Sequence, residues 1–302
     1  MRFTFKLYSR KPNPVVSFNF HESFSKGITN ILQSRSADYE TLMASEEGHK
    51  PDMLTGFKDF SFSEIHCQFV SKEGRMCVAG DDIRITVSFQ LPQKASGFIR
   101  EIFLNQRFTI GDEQWHAMFT IAEIYPFRYF LRNSVQDIKV ITASPVVAEL
   151  KKPDGGITFI GPAHPEFSGV LLSNWREKYK RIYGSSQSLL DFLPCEIKPV
   201  LQTDSRLKVR AITVKNGDEK ITVRGHMNFY LQLTGTKAAL QLILNTGIGS
   251  YNHFGLGCIT TIFDQKSRQE LRQKKSNYSK PTTKATEDIT SEISTIFKKF
   301  SK

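Results

Sequence analysis

Twice along this chain the apolar residues run in one order, strand, helix, extended segments, helix, strand, and that order leaves few folds open to it. The first pass opens over 2–8, where Phe3, Phe5 and Leu7 alternate with Thr4, Lys6 and Tyr8 in the period-two rhythm of a half-buried strand. Phe20, Phe24, Ile28, Ile31 and Leu32 then recur at helical spacing and predict a helix over 19–33. A polar stretch over 34–55 precedes extended segments around 57–65, 67–70 and 83–91, a short helix over 95–104 and a strand over 107–123. The second pass predicts a strand over 137–149, a helix over 165–183, strands over 207–214 and 219–233, a helix over 237–244 and a last strand over 256–263. Two βαββαβ passes predict an α+β chain of tandem ferredoxin-like domains, each an antiparallel sheet with helices on one face. The expected division is 1–124, a linker over 125–136, 137–263, and a basic tail over 264–302. The tail holds ten Lys or Arg and five Asp or Glu, ten minus five giving +5, and is expected to be helical or disordered.

Charge narrows the choice of partner. Forty-one Lys and Arg against thirty Asp and Glu leave +11 on 302 residues, an excess that suits a polyanion better than a small metabolite. No apolar run approaches the roughly 18–20 residues of a spanning helix, so no membrane partner is expected. The opening residues alternate instead of forming a secretory signal, and the expected location is cytoplasmic. Cys67, Cys77, Cys195 and Cys258 are scattered without CxxC spacing, and the seven histidines form no HxxxH set, so neither a metal nor another cofactor is expected. The adjacent acids Asp81–Asp82 and Glu46–Glu47 would face opposite ways on a strand and make a poor two-metal site.

The sharpest local feature is GIGSYNHFGLG over 247–257, four glycines between a predicted helix and a predicted strand. Glycine lets backbone approach a ligand closely, so such a loop can aim N–H groups at phosphodiester oxygens. It has no Walker lysine, its spacing is not GxGxxG, and it follows a helix where a dinucleotide motif would follow a strand; a nucleotide-cofactor fold is therefore disfavoured. A second basic feature is the helical stretch with Trp175, Arg176, Lys178, Tyr179, Lys180 and Arg181, whose cations and rings suit phosphates and unpaired bases.

Taken together, the motifs resemble the family of CRISPR-associated endoribonucleases that cut precursor crRNA within its repeats, the Cas-six family. The resemblance spans most of 1–259. It is carried by the MRF start with its strand and helix, by FKDFSFS over 57–63, similar to the family's K-x-F-T-x-S strand, and by ITASPVV over 141–147, similar to its SPI/V-V strand. NWREKYKRIYG over 174–184 is similar to its KY-containing helix, and the glycine motif completes the set. The resemblance implies a RAMP/RRM-like tandem fold that binds CRISPR repeat RNA and cuts it without a metal. In that cut the ribose 2′-OH attacks its neighbouring phosphate, leaving a 2′,3′-cyclic phosphate and a 5′-OH. A base must take the 2′-OH proton, an acid must protonate the leaving oxygen, and cations or N–H donors must stabilise the extra charge on phosphorus.

At the family's histidine and tyrosine positions this chain has Ser45 and Thr29. His49, just past Gly48, and His21, at the start of the first helix, are the expected substitutes for acid/base work, with Lys58 as a fixed positive charge. Expected RNA contacts are Gly247, Gly249, Ser250, Tyr251, His253, Gly255 and Gly257 in the loop, Lys178 and Arg181 on the helix, and Arg128 and Arg132 in the linker. Ser45 also supports a second reading, a catalytically silent repeat-RNA-binding subunit of a CRISPR interference complex. A homodimer is compatible with either reading.

Overall fold

The computed structural model describes residues 1–43, 59–92, 95–184, 190–201, 207–216 and 219–262. The first lobe comprises β1 (Arg2–Tyr8), β2 (Val15–Ser17), α1 (His21–Ser34), α2 (Ser36–Met43), β3 (Phe60–Phe62), β4 (His66–Lys72), β5 (Arg75–Phe89), α3 (Ser96–Phe103), β6 (Arg107–Gly111) and β7 (His116–Phe127). Its antiparallel sheet runs β2-β5-β1-β7-β6, and β3 and β4 also pair with β5. The alternation in β1 works as its pattern predicts: Phe3, Phe5 and Leu7 are buried beneath Phe24, Ile28 and Leu32 of α1 and Ile99, Ile102 and Phe103 of α3. Rings dominate this core, with Phe5 to Phe103 at 5.3 Å, Phe24 to Phe108 at 5.2 Å and Phe24 edge-on to Phe62 at 4.9 Å between centroids.

The second lobe comprises β8 (Gln136–Thr142), β9 (Ala148–Lys151), β10 (Ile157–Ile160), α4 (Phe167–Tyr183), β11 (Glu196–Val200), β12 (Lys208–Asn216), β13 (Glu219–Met227), β14 (Tyr230–Gly235), α5 (Lys237–Thr246) and β15 (Ile259–Thr261). Its main sheet runs β11-β14-β8-β15. With strands counted along each βαββαβ pass, both lobes show the 4-1-3-2 order of a ferredoxin-like domain. The core of this lobe is mostly aliphatic around Trp175, whose indole N–H donates to the Ala239 carbonyl at 3.0 Å. Thr236 caps α5 by accepting from the Ala239 amide.

The sheets differ from the sequence expectations in places with local causes. The single strand expected over 107–123 is the hairpin β6–β7, because the Asp112 carboxylate accepts from the Gln114 and Trp115 amides and closes a turn. The strand expected over 219–233 breaks at Asn228, whose φ of 63° is left-handed. That break sends β12 and β13 out as a separate two-stranded ribbon, and β11, which the sequence reading did not anticipate, takes the sheet position instead. β11 is short, lies at an edge and contains Pro199, so its own pattern is weak. Part of the polar stretch over 34–55 is helical, as α2.

The lobes are stitched together by polar side chains. Arg2 is buried; its guanidinium donates to the Ile259 carbonyl at 2.7 Å and to the hydroxyls of Thr260 and Tyr129. Asn245 donates to Gln90 at 3.0 Å, and the Thr213 amide donates to Asn19 at 3.2 Å. Met1 follows suit within the first lobe, its amino group meeting the Phe89 carbonyl.

Candidate nucleic-acid interface

The glycine loop leaves α5 at Gly247 and turns through a short 3₁₀ segment, Asn252–Phe254, into β15. Its amides are largely spent on the protein itself. Gly247 donates to Ile243, Ile248 to Gly257, Ser250 to Val147, Gly255 to Asn252 and Gly257 to Pro145, at 2.7–2.9 Å. All four glycines are buried. A Cβ on Gly257 would lie 1.8 Å from the Ile248 carbonyl oxygen, and one on Gly255 would lie 2.1 Å from the Phe62 ring; both residues have positive φ. The glycines therefore serve a close approach of protein to protein, fitting the loop against β3 of the first lobe. This corrects the expectation that the amides of Gly247, Gly255 and Gly257 face a phosphodiester, and a Cβ on Gly249 would lie 2.3 Å from the Val147 carbonyl oxygen. A ligand would compete for N–H groups that already have carbonyl partners.

What the loop shows to solvent is a set of side chains. Ser250 and Tyr251 are half-buried and His253 is exposed. They border an open cavity of about 550 Å³ with Asp59, Asn174, Glu177, Lys178, Arg181 and Asn252. The Tyr251 hydroxyl donates to Glu149 at 2.8 Å, and the Asn174 amide reaches Ser250 at 3.4 Å. Lys178 reaches from α4 into the loop and donates to the carbonyls of Gly247 at 2.8 Å and Gly249 at 3.3 Å and to the Asn252 side chain. Burial pushes its amine down to about 7, outweighing the pull of Asp59. Lys178 is thus a brace of the loop more than a cation facing outward. Arg181 is exposed along one side and paired with Asp59. Arg128 and Arg132 are exposed on the segment between β7 and β8.

The candidate acid/base groups fare unequally. His21 has no exposed surface: its ring stacks on Phe20 at 4.4 Å, and its Nε2 meets Glu64 at 3.0 Å. The other Glu64 oxygen pairs with Arg210, which also donates to the Phe18 carbonyl at 3.0 Å. Burial alone would raise the Glu64 carboxyl, but His21 and Arg210 together hold it below the usual carboxylate range. A ring so enclosed cannot meet a ribose hydroxyl, so His21 is withdrawn from acid/base work; it is one member of a His21–Glu64–Arg210 tie across the lobes. His49 and Lys58 lie outside the described residues, as does Ser45. Thr29 is half-buried on α1. Among the described residues no group of three His, Cys, Asp or Glu could hold a metal ion, and no helix is long and apolar enough to cross a membrane.

Sequence reasoning missed Glu64, Arg210 and Arg2 because their partners are 43, 146 and 257 residues away. No local pattern marks such pairs.

The fold is that of tandem ferredoxin-like domains. A solved structure described as a Cas6-related gene product from Pyrococcus furiosus superposes with a TM-score of 0.64 at 20% identity, covering 87% of this chain and 98% of that one. A structure described as a RAMP protein binding different RNA substrates superposes with a TM-score of 0.63 at 19% identity, covering 87% and 99%. One described as CRISPR associated protein Cas6 gives 0.62 at 16% identity, with the same coverage. No curated protein sequence matches the chain. Residues 131–261 match the family described as CRISPR associated protein Cas6, C-terminal. That match and the shared fold make this chain consistent with a Cas6-family CRISPR-associated protein.

Proposed function

We propose that the chain binds CRISPR repeat RNA and processes precursor crRNA as a metal-independent endoribonuclease. The observation that carries this reading is the match of residues 131–261, including the glycine loop and α4, to the Cas6 C-terminal family. The net charge of +11 supports a polyanionic partner. In the proposed reaction a ribose 2′-oxygen forms a bond to the adjacent phosphorus as the bond to the 5′-oxygen of the next nucleotide breaks. The 2′-OH proton leaves to a base, the 5′-oxygen takes a proton from an acid, and the products are a 2′,3′-cyclic phosphate and a 5′-OH. His49 remains the proposed proton-transfer group and Lys58 the proposed charge stabiliser, with Arg181, Ser250, Tyr251 and His253 at the RNA surface. The division into domains over 1–124 and 137–263 belongs to the same proposal.

A second reading, a repeat-binding subunit without scission, is favoured by one observation: His21 is enclosed by Phe20 and Glu64. One experiment separates the two. Purified protein is incubated with repeat RNA from the neighbouring array in EDTA. A 2′,3′-cyclic product lost in His49→Ala supports cleavage; tight binding with intact RNA supports the silent subunit; absence of repeat binding overturns both.

A further inference from the structure

Between β7 and β8 the chain crosses from one lobe to the other as Phe127-Arg128-Tyr129-Phe130-Leu131-Arg132. Beyond Phe127, the last residue of β7, the segment belongs to no strand, yet its exposure alternates without a break: Phe127, Tyr129 and Leu131 are half-buried, and Arg128, Phe130 and Arg132 are exposed. The inward face is fastened. The Tyr129 hydroxyl accepts from Arg2 and donates to the Leu244 carbonyl at 3.3 Å, its ring lies edge-on to Phe127 at 5.4 Å, and Tyr129 and Leu131 pack on the second core. Gln136 secures the far end, accepting from the Arg132 amide at 3.2 Å and donating to the Arg132 carbonyl at 3.0 Å.

The outward face is the unusual part. Phe130 is 98% exposed, whereas Tyr8, the next most exposed Phe, Tyr or Trp among the described residues, is 54% exposed. Scattered apolar side chains on a surface are ordinary. A ring held wholly in water by a backbone fixed on its other face, with a guanidinium two residues to either side, is a different matter. Rings of this kind stack on nucleobases irrespective of sequence, and flanking arginines supply the phosphate contacts. Along an extended chain Arg128 and Arg132 stand about 13 Å apart, which leaves the phosphates on either side of one stacked base within reach of one guanidinium each. Because the ribbon is already fastened, little backbone ordering remains to oppose binding.

We propose that Phe130, with Arg128 and Arg132, forms a single-stranded RNA contact in which the ring stacks on one unpaired base and the two arginines hold its neighbouring phosphates. The inference rests on the proposed function and extends it by naming a base-stacking residue and the strandedness of the RNA it meets. The flanking charges favour RNA over an apolar protein partner as the occupant.

The test uses the full chain with two fluorescein-labelled probes, an unstructured 12-nucleotide oligoadenylate and repeat RNA from the neighbouring array. Phe130→Ala is expected to weaken 12-mer binding by about 5- to 100-fold at fixed salt, and Phe130→Trp to restore it, with the new indole quenched on binding. Arg128→Gln and Arg132→Gln are each expected to make the slope of log affinity against log salt about 0.7 shallower. Unchanged 12-mer affinity in Phe130→Ala, with repeat binding intact in the unmodified protein, overturns this inference and leaves the proposed function standing. Failure of the unmodified protein to bind the repeat overturns the function itself. Weakened self-association of Phe130→Ala with unchanged RNA affinity identifies the ring as a protein contact and likewise overturns the inference.

Discussion

The glycine loop over 247–257 and the crossing segment over 128–132 both lie outside the strands, and they are built in opposite ways. The loop turns its backbone inward, where carbonyls of Pro145, Val147 and Ile243 take its N–H groups, and three of its side chains reach solvent. The crossing segment turns alternate side chains inward and offers its arginines and a bare ring outward. Four glycines in eleven residues report close approach, and the partner that comes close is the protein's own Phe62 and Ile248. A plain alternation of rings and arginines, by contrast, reports two faces with different neighbours. The lesson is that glycine density measures crowding, whereas exposure of costly side chains measures availability.

The largest test of that contrast is Gly257→Ala. A methyl group there meets the Ile248 oxygen at 1.8 Å on a backbone with φ of 72°, and the expected loss is about 3–5 kcal/mol, read as a fall in the denaturation midpoint. A loop that tolerated the substitution would show that its packing is slack and that its amides are available after all. Next comes Glu64→Ala, which strips the carboxylate from His21 and Arg210. The expected cost is about 2–3 kcal/mol at neutral pH, below the value for a fully buried pair because the Glu64 side chain keeps 21% of its exposure. Because the Glu64 carboxyl is held below its unfolded value, its contribution is complete above about pH 4.3 and is lost as pH falls through the folded value. Denaturation curves of the two proteins should therefore converge in acid; a gap that persists there removes the ion pair from the account.

Lys178→Met is a smaller step. It keeps the length of the side chain and removes donors to Gly247, Gly249 and Asn252, for an expected loss of about 1–2 kcal/mol. The folded amine titrates about pH 7 and an unfolded one about 10.4, so between those values the unfolded chain holds more protons. The stability of the unmodified protein relative to Lys178→Met should accordingly rise with pH through that window; a falling difference would contradict a desolvated amine. The smallest expected effect belongs to Phe130→Ala, within about 0.5 kcal/mol, because the ring touches little of its own protein. A clear loss of stability would mean that the ring packs in solution and is not on offer to RNA.

Much of the fold was legible because its core positions follow simple periods. Phe3, Phe5 and Leu7 at period two and Phe24, Ile28 and Leu32 at helical spacing fall on one core, and the repeated βαββαβ order carries over into the 4-1-3-2 sheets. Legibility failed where a single residue broke a run, as at Asn228, or where an edge strand such as β11 lacked alternation. The candidate site was less legible. Glycine spacing fits a phosphate cradle and a tight protein contact equally well, and only Phe62 beside Gly255 tells them apart. Nor does a histidine at a helix start reveal that Phe20 and Glu64 will close over it. Phe130 could have been found from the alternation of Phe127, Tyr129 and Leu131 with its neighbours, but its exposure is a property of the packed lobes alone.

Arg2 carries a consequence for how the chain comes to be. Its guanidinium finds the Ile259 carbonyl and the Thr260 hydroxyl at the far end of the second lobe, 257 and 258 residues on. Synthesis runs from the amino end, so the cation of β1 waits in water until β15 has been made. The first lobe can collapse around its phenylalanines before then, yet β1 is fully tethered only when β15 arrives, so the second lobe carries the lock for the first.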